Sequence, residues 1–542
     1  MLPFACVALA GLFFFCTYLF FSIADSEDML NISISLYKLH DPSINVMQNR
    51  ETGEVISAFS KYGLGLPVFL IPFLFISDIL NAFSAGINSN VILSLPNLII
   101  LAGVGQTVYL SSLAFGYGRR SGLFLSILSV FGTFLFPYMN YFLSEPLQAL
   151  SVTLAFLFLY RAKTAETPNP SYVNFALAGI SLSYGIFTKA AVLVLLPAFS
   201  MYAAFCVKRC RGRRTAAICS WAVPVILFGI LTAYSNYSRF GSLFDFGYGE
   251  ESGMFTNPVA SGIYNLLLNP SKGILIFAPV IVLFPYALWE FGKRYRAEAL
   301  LIAALVISNA IFYSAWWAWE GGESWGPRFL LPLVPLSIVP CGELLGKRAW
   351  RAAVRTLFAL GFLVNILGTV QDFSGYDYIV FKSTGNIILD TKRPKRDYLD
   401  VDGARRVPPY VIASTLPEFN VLTGNLWLLK AKYEGWKNGY GLGRENSAYK
   451  NPPWIKKYPG YKPPQIETIP YEIRTRIECP PPLLLSSLIC PDRAPSAPYY
   501  YDALMHQADK AEALGYKEKA LSMRKRALEE SHEKRRRILQ MR

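Results

Sequence analysis

Carboxylates and cations gather at the ends of apolar runs in this chain, and their spacing gives the first indication of chemistry. The stretch ADSEDML, residues 24–30, follows directly on LAGLFFFCTYLFFSI. If a helix continues through it, Asp25 and Asp28 share a face at i, i+3 and Glu27 points elsewhere. A carboxylate partly desolvated at a bilayer interface can serve as a general base. A solvated helix end beside lipid headgroups explains the same residues, and on this stretch alone that is the simpler account.

Other polar groups sit at comparable places. Lys61 in AFSKYGLGLP either snorkels to the interface or holds a lipid phosphate as a point charge. Glu145 in MNYFLSEPLQAL lies at the tip of a helical hairpin, where a carboxylate is more often solvated than catalytic. YSNYSRFGSLFDFGYGEE supplies Arg239 and Asp245, and NPSKGILIFAP places Lys272 ahead of an apolar run. The densest stretch is WWAWEGGESWGPRFLLPLVP, with Glu320, Glu323, Trp325 and Arg328. An interfacial aromatic belt explains Trp316, Trp317 and Trp319. It does not explain Gly-Gly, two acids and an arginine in so short a loop, which looks built to approach a ligand closely. Together these groups suit an anionic lipid headgroup plus a carbohydrate, with carboxylates available to deprotonate a hydroxyl.

The elements that must position them are membrane helices. The chain has 542 residues, 53% hydrophobic and 16% charged, with mean hydropathy +0.31; soluble domains carry about 25% charged residues. Apolar windows long enough to cross about 30 Å of hydrocarbon recur. Spans are expected near 3–23, 95–116, 122–141, 146–161, 173–188, 190–207, 216–235, 274–290, 299–317, 329–346 and 354–371. The first lacks a basic n-region and a small-residue cleavage site, so it reads as a retained span and not as a signal peptide. Much of the net charge of +15 lies in the loops YGRRSG, YRAK, KRCRGRR, FGKRYR and GKRAWRAAVR. That is the positive-inside pattern, and it argues against nucleic acid as a partner. It places the N-terminus in the cytoplasm and, after eleven spans, the C-terminus outside. A crossing by 63–80 would invert every later basic loop, so that run reads as a juxtamembrane or re-entrant broken helix.

Long segments then gather outside: 24–62, 142–145, 236–273, 318–328 and a tail from 372. The chain divides into a membrane module, 1–371, and an extracytoplasmic region, 372–542, mostly irregular and rich in Pro, Tyr and Trp. Its end reads as two amphipathic helices, a unit that cannot bury its own face and must pack on the rest. Cys479 and Cys490 lie in this tail, where an oxidising exterior would let them pair. The three histidines are far apart, no zinc-site spacing occurs, and no P-loop or Rossmann fingerprint stands in context.

Over residues 1 to about 371 the chain resembles the GT-C superfamily of glycosyltransferases, in particular bacterial family-39-like enzymes such as protein mannosyltransferases and the lipid A aminoarabinose transferase. ADSEDMLNISISL resembles the family's acidic motif after the first span, with Asp25 at the usual acid and Ser26 where the family has Glu. SKYGLGLPVFLIP resembles the segment opening a juxtamembrane helix, with Lys61 at the phosphate-contacting lysine. Glu145 matches the acid of the second outer loop, and GIFTKAAVLVLLP the family's Leu-Thr-Lys-Gly segment, at Lys189. RFGSLFDFGY and WEGGESWGPRFLLPLVP look like motifs of a bacterial subgroup.

The resemblance implies an all-α GT-C fold of about eleven transmembrane helices with juxtamembrane helices in the first outer loop, in a bacterial plasma membrane. It implies inverting transfer of a sugar from a polyprenyl phosphate to a glycan, lipid or protein acceptor on the outer side, with no metal and no cofactor. Asp25 or Asp28 would be the base, and Glu145 would orient the acceptor. Lys61, Arg328 and Lys272 would bind the donor phosphate; Tyr62, Arg239, Glu320, Glu323 and Trp325 would contact substrate. With Ser26 in place of Glu, Glu27 or Asp28 can supply the second acid. The competing expectations are a flippase for a lipid-linked saccharide and a scaffold acting through the tail.

Overall fold

The computed structural model describes residues 2–15, 24–48, 55–83, 89–370, 376, 399–401, 404–406, 409–415, 419–437 and 499–540. The fold is all-α. Its helices are α1 (Leu2–Phe15), α2 (Ala24–Leu39), α3 (Gly65–Phe83), α4 (Ser89–Ala114), α5 (Arg119–Phe131), α6 (Glu145–Thr164), α7 (Pro168–Thr188), α8 (Leu196–Arg209), α9 (Arg214–Phe240), α10 (Val259–Leu268), α11 (Ile274–Phe277), α12 (Phe284–Gly292), α13 (Arg296–Ala315), α14 (Val334–Ile338), α15 (Gly342–Leu345) and α16 (Arg348–Val370). The tail contributes α17 (Pro409–Thr415), α18 (Val421–Lys437), α19 (Tyr499–Ala513) and α20 (Lys517–Gln540). Among the described residues the only strands form two small antiparallel hairpins: β1 (Asn45–Gln48) with β2 (Val55–Ala58), and β3 (Leu399–Val401) with β4 (Ala404–Arg406).

Among the described residues seven helical stretches are long and apolar enough to cross a membrane: Gly65–Phe83, Leu95–Ala114, Ala190–Arg209, Arg214–Phe240, Arg296–Ala315, Arg328–Leu345 and Arg348–Val370. The chain is a multi-pass membrane protein. Helices α6 and α7 have the length, 20 and 21 residues, but are more polar. They pack closely on one another, and α7 packs in turn on α9.

Several expected spans are interrupted. The 122–141 run is helical only as far as Phe131 and ends in a 3-10 turn at Pro137–Asn140. The 274–290 and 329–346 runs are chains of short helical pieces, broken where prolines such as Pro279, Pro335 and Pro340 remove a donor. Irregular backbone at membrane depth must find partners inside the protein. Buried asparagines supply them. Asn97 donates to the carbonyls of Met139 and Tyr141, Asn309 to that of Phe329, Asn365 to that of Phe277, and Asn140 to that of Thr369.

The 63–80 run departs from expectation, since it forms one continuous helix, α3, with Pro72 inside it. Its place beside α2 explains why. The chain leaves Asp25 along α2, returns through the β1–β2 hairpin to Ser60 beside Asp28, and sets out again alongside α2 as α3. Tyr37 and Lys38 near the end of α2 bind Asp78 near the end of α3. Leu66, Leu70 and Leu74 form its buried stripe, while Phe75, Ile76, Ile79 and Phe83 face outward.

The same layer holds the C-terminal hairpin. α19 and α20 turn back on each other at Gly515, whose φ of 83° is a left-handed value. Ala503, Leu504, Ala508 and Met523 share one core with Met29, Leu30, Ile34, Leu66 and Leu70. The anchor is Lys510, with a fully buried side chain. It pairs with Asp41 at 2.7 Å and donates to Ser35 Oγ at 2.6 Å and the Ser43 carbonyl at 2.7 Å. Further along, Asn269 and Ser271 donate to the carbonyls of Ser414 and Ala413, docking α17 on the bundle. Cys479 and Cys490 lie outside the described residues.

Lys510→Ala leaves the buried Ser35 Oγ and Ser43 carbonyl and the half-buried Asp41 without this donor, at about 1.5–3 kcal/mol for the charged contact. The hairpin is expected to loosen, with faster proteolytic cleavage between α19 and α20 while the rest of the chain resists. Unchanged cleavage would show that Lys510 is not the anchor.

Candidate functional site

Asp25, in the first turn of α2, lies at the centre of a cluster of charges. Its Oδ2 accepts from Arg328 Nη1 at 2.6 Å, and its Oδ1 accepts from the Tyr62 hydroxyl. Both ion-pair partners are largely buried, with side-chain exposures of 18% and 12%. Burial pushes the Asp25 carboxyl up, but Arg328, Tyr62 and Lys189 outweigh it and hold the group below the usual carboxylate range. Burial and the neighbouring Asp25 charge push the Tyr62 phenol well up, so it stays a donor. Asp28, one turn on, accepts from Ser60 Oγ at 3.0 Å. Burial raises its carboxyl; the Asp25 and Glu27 charges add to that, and the net direction is upward. The two acids therefore sit on one helix face with opposite electrostatic fates.

The second ion pair is Glu145 with Lys189, Oε1 to Nζ 2.7 Å, both buried. Glu145 opens α6, where an acid suits the helix dipole and Pro146 suits the first turn. Lys189 follows the last residue of α7. The aromatic ring of Phe329 links the two pairs: Lys189 Nζ lies 4.7 Å and the Arg328 guanidinium 5.2 Å from its centroid. Phe329 in turn stacks on Tyr313 at 4.3 Å.

Two close approaches make this possible. A Cβ on Gly63 would lie 2.4 Å from the Phe187 carbonyl oxygen, and one on Gly65 2.1 Å from Thr188 Oγ1. Only glycine lets the Ser60–Gly65 segment cross the end of α7 at Lys189. On the other side, a Cβ on Gly321, itself at φ 73°, would lie 2.8 Å from Arg328 Cγ.

Lys61 stands at the rim, paired with Glu251 at 2.8 Å and 5.5 Å from the Tyr248 ring. Arg239, closing α9, donates to the carbonyls of Tyr62 at 2.9 Å and Ser60 at 3.3 Å, so it positions the segment that carries Lys61. A narrow cleft lies between them, lined also by Asn236 and Gly63.

The structure therefore brings together Asp25, Asp28, Tyr62, Lys61, Arg239, Glu145 and Arg328. It places Lys272 elsewhere. That ammonium is buried and clamps the 318–328 loop through the Gly322 carbonyl and both Ser324 oxygens at 2.6–2.9 Å. Trp325 is a core residue: its indole N–H donates to Asn365 Oδ1, its carbonyl accepts from Tyr138, and Gly368 leaves room for its ring. Glu320 is fully buried and Glu323 half-buried in the same loop. Sequence reasoning missed the pairing of Lys189 with Glu145, and also Ser60, Tyr248 and Glu251. An isolated lysine in the apolar run after GIFT was the available signal for the first.

Glu145→Leu leaves Lys189 charged and buried without its partner, at about 3–5 kcal/mol. Thermal unfolding in detergent is expected to show a large fall in midpoint for Glu145→Leu and a smaller one for Glu145→Leu combined with Lys189→Met. Equal falls would mean that the two charges are not coupled.

No protein-family model matches the sequence, and no curated protein does. Among solved structures the chain is similar to ArnT from Cupriavidus metallidurans bound to undecaprenyl phosphate, at 12% identity over 94% of this chain and 79% of that one, with TM-score 0.44. The apo form of that protein gives 12% identity over 82% and 96%, TM-score 0.44. The archaeal oligosaccharyltransferase AglB from Archaeoglobus fulgidus, in complex with an inhibitory peptide and a dolichol-phosphate, gives 11% over 71% and 58%, TM-score 0.43. At such scores the likeness by itself carries no conclusion about what this chain binds or does.

Proposed function

We propose that the protein is a GT-C-like membrane glycosyltransferase. It moves a sugar from a polyprenyl phosphate to a hydroxyl of a glycan, lipid or protein on the outer side of a bacterial plasma membrane. In this reading the N-terminus is cytoplasmic and the C-terminal tail extracytoplasmic. The observation that carries it is the contact of Asp25 with Arg328. A candidate base and a candidate phosphate-binding cation meet at 2.6 Å in a largely dry site. Two further groups there are buried without hydrogen-bond partners: Arg328 Nε, a donor, and Glu145 Oε2, an acceptor. A donor suits a phosphate oxygen, and an acceptor suits a sugar or acceptor hydroxyl.

The reaction is a single displacement with inversion. The acceptor oxygen bonds to the anomeric carbon as the carbon–oxygen bond to phosphate breaks. The hydroxyl proton passes to Asp25, and the lipid phosphate leaves with the bonding pair. Arg328 and Lys61 compensate the charge that develops on it, an electrostatic effect worth about 10²–10³ in rate per lost contact. The reading gives a metal no role, because these cations supply the compensation. Arg239 acts indirectly, by holding the backbone of Ser60 and Tyr62.

Asp25→Asn keeps an oxygen that accepts from Arg328 but removes the charge, so it is expected to fold with a lowered thermal midpoint, to keep donor binding and to lose transfer of a polyprenyl-phosphate sugar. Wild-type transfer by the purified variant refutes the assignment of Asp25. The pH profile separates the two acids. Asp25 is held low, so as base it puts the acidic limb of kcat/KM below the usual carboxylate range. Asp28 is held high, so as base it puts that limb above the range.

A further inference from the structure

We infer that the end of the bundle remote from Asp25 carries a binding site for the phosphate of an anionic lipid headgroup. Helices α6, α7 and α13 each run from the candidate site to this end. α6 starts at Glu145 and ends at Thr164, about 28 Å away at 1.5 Å per residue. There the loops between α6 and α7, α8 and α9, and α12 and α13 converge on a cavity of about 470 Å³. That volume lies within the range of about 300–1,000 Å³ of small-ligand sites.

Five cations line it: Lys163, Arg209, Arg211, Arg294 and Arg296. The carboxylates in the lining are Glu166 and Glu298. Glu298 is already engaged at the base, buried and bound by Lys163 and by the Tyr202 hydroxyl. Arg294 reaches Glu343 only at 3.5 Å, outside the cavity. Among the described residues Arg209, Arg211 and Arg296 have no acidic partner within salt-bridge distance. A topological bias of basic loops requires only that cations be on one side. It does not require three loops to fold them around one concavity, where they repel each other unless an anion is present.

The surroundings favour a lipid over a free phosphate. Arg296, Leu300 and Ile307 fall on one stripe of α13, and the two apolar residues are 63% and 56% exposed. Met201, two turns from Arg209 on α8, is 76% exposed. An acyl chain can lie along these faces while its phosphate sits among the arginines. Basic pockets of this kind between helices bind anionic headgroups elsewhere.

The test uses the purified full chain in neutral detergent, titrated with phosphatidylglycerol and read by native mass spectrometry. The double variant Arg211→Ala, Arg296→Ala removes two exposed side chains and should fold. It is expected to bind phosphatidylglycerol about tenfold more weakly. The double variant Arg119→Ala, Arg120→Ala loses the same charge from a neighbouring basic loop outside the cavity and should bind like wild type. A second arm adds millimolar inorganic phosphate without lipid. Thermal stabilisation of wild type but not of the cavity variant, with lipid binding unaffected in both, would reassign the site to free phosphate and overturn the lipid assignment. Equal lipid binding by all three proteins, or equal loss in both variants, with no response to phosphate, would overturn the site altogether.

Discussion

Placing four charges in a nearly dry layer is the constraint on which the rest of this structure depends. Taking a single carboxylate or ammonium out of water costs several kcal/mol even after relaxation. Here Asp25, Arg328, Glu145 and Lys189 come out together, arranged so that each cation has an anion and both cations share one aromatic ring. The four come from four places in the chain: the start of α2, the start of α6, the end of α7 and the end of the 318–328 loop. None can shift without leaving a buried charge unmatched. The glycines at 63, 65 and 321 are consequences of that requirement, since each marks a place where backbone must come within contact distance of another segment for the charges to meet.

The polar residues behind this layer serve a different end. Lys272 holds the 318–328 loop by its carbonyls, and Trp325 anchors the loop through Asn365. Asn97, Asn140, Asn309 and Asn365 satisfy backbone freed where proline-rich segments leave helical geometry. Short, broken helices in the 274–290 and 329–346 regions let the chain turn inside the bundle and deliver Arg328 at the needed depth. The rigidity of the loop therefore comes from side chains that never face the site, and a residue type that looks chemical in the sequence can be structural.

That distinction marks how far the sequence could be read. The membrane class, the long uninterrupted spans such as α9, α13 and α16, and the gathering of Asp25, Lys61, Glu145 and Arg328 on one side follow from apolar length, basic loops and the placing of acids at run ends. These are local signals, and local chemistry is legible. The roles of Lys272 and Trp325 are not, because an ammonium on a carbonyl and an ammonium on a phosphate look alike without the fold. The continuity of α3 was hidden for a related reason: Pro72 reads as a break, yet α2 alongside and the Asp78 contacts hold the helix through it. The Glu145–Lys189 pair joins residues 44 apart. Only the crossing of the Ser60–Gly65 segment over α7 explains why that lysine stands at the site and not in lipid.

The pairing of Asp25 with Arg328 also bears on when the site becomes reactive. A base held by a guanidinium is a poor proton acceptor, since the same contact that stabilises the carboxylate lowers its basicity. A phosphate arriving at Arg328 would divide the guanidinium between two anions and weaken its hold on Asp25. On the proposed reading, donor binding therefore raises the basicity of the acid that must act next. Asp28 needs no such release, because nothing cationic holds it as Arg328 holds Asp25, and burial, with the Asp25 and Glu27 charges behind it, already pushes it upward. The choice between the two acids is then a choice between a base armed by the donor and a base armed by the fold. The buried Arg328 Nε, which makes no hydrogen bond, supports the first proposal.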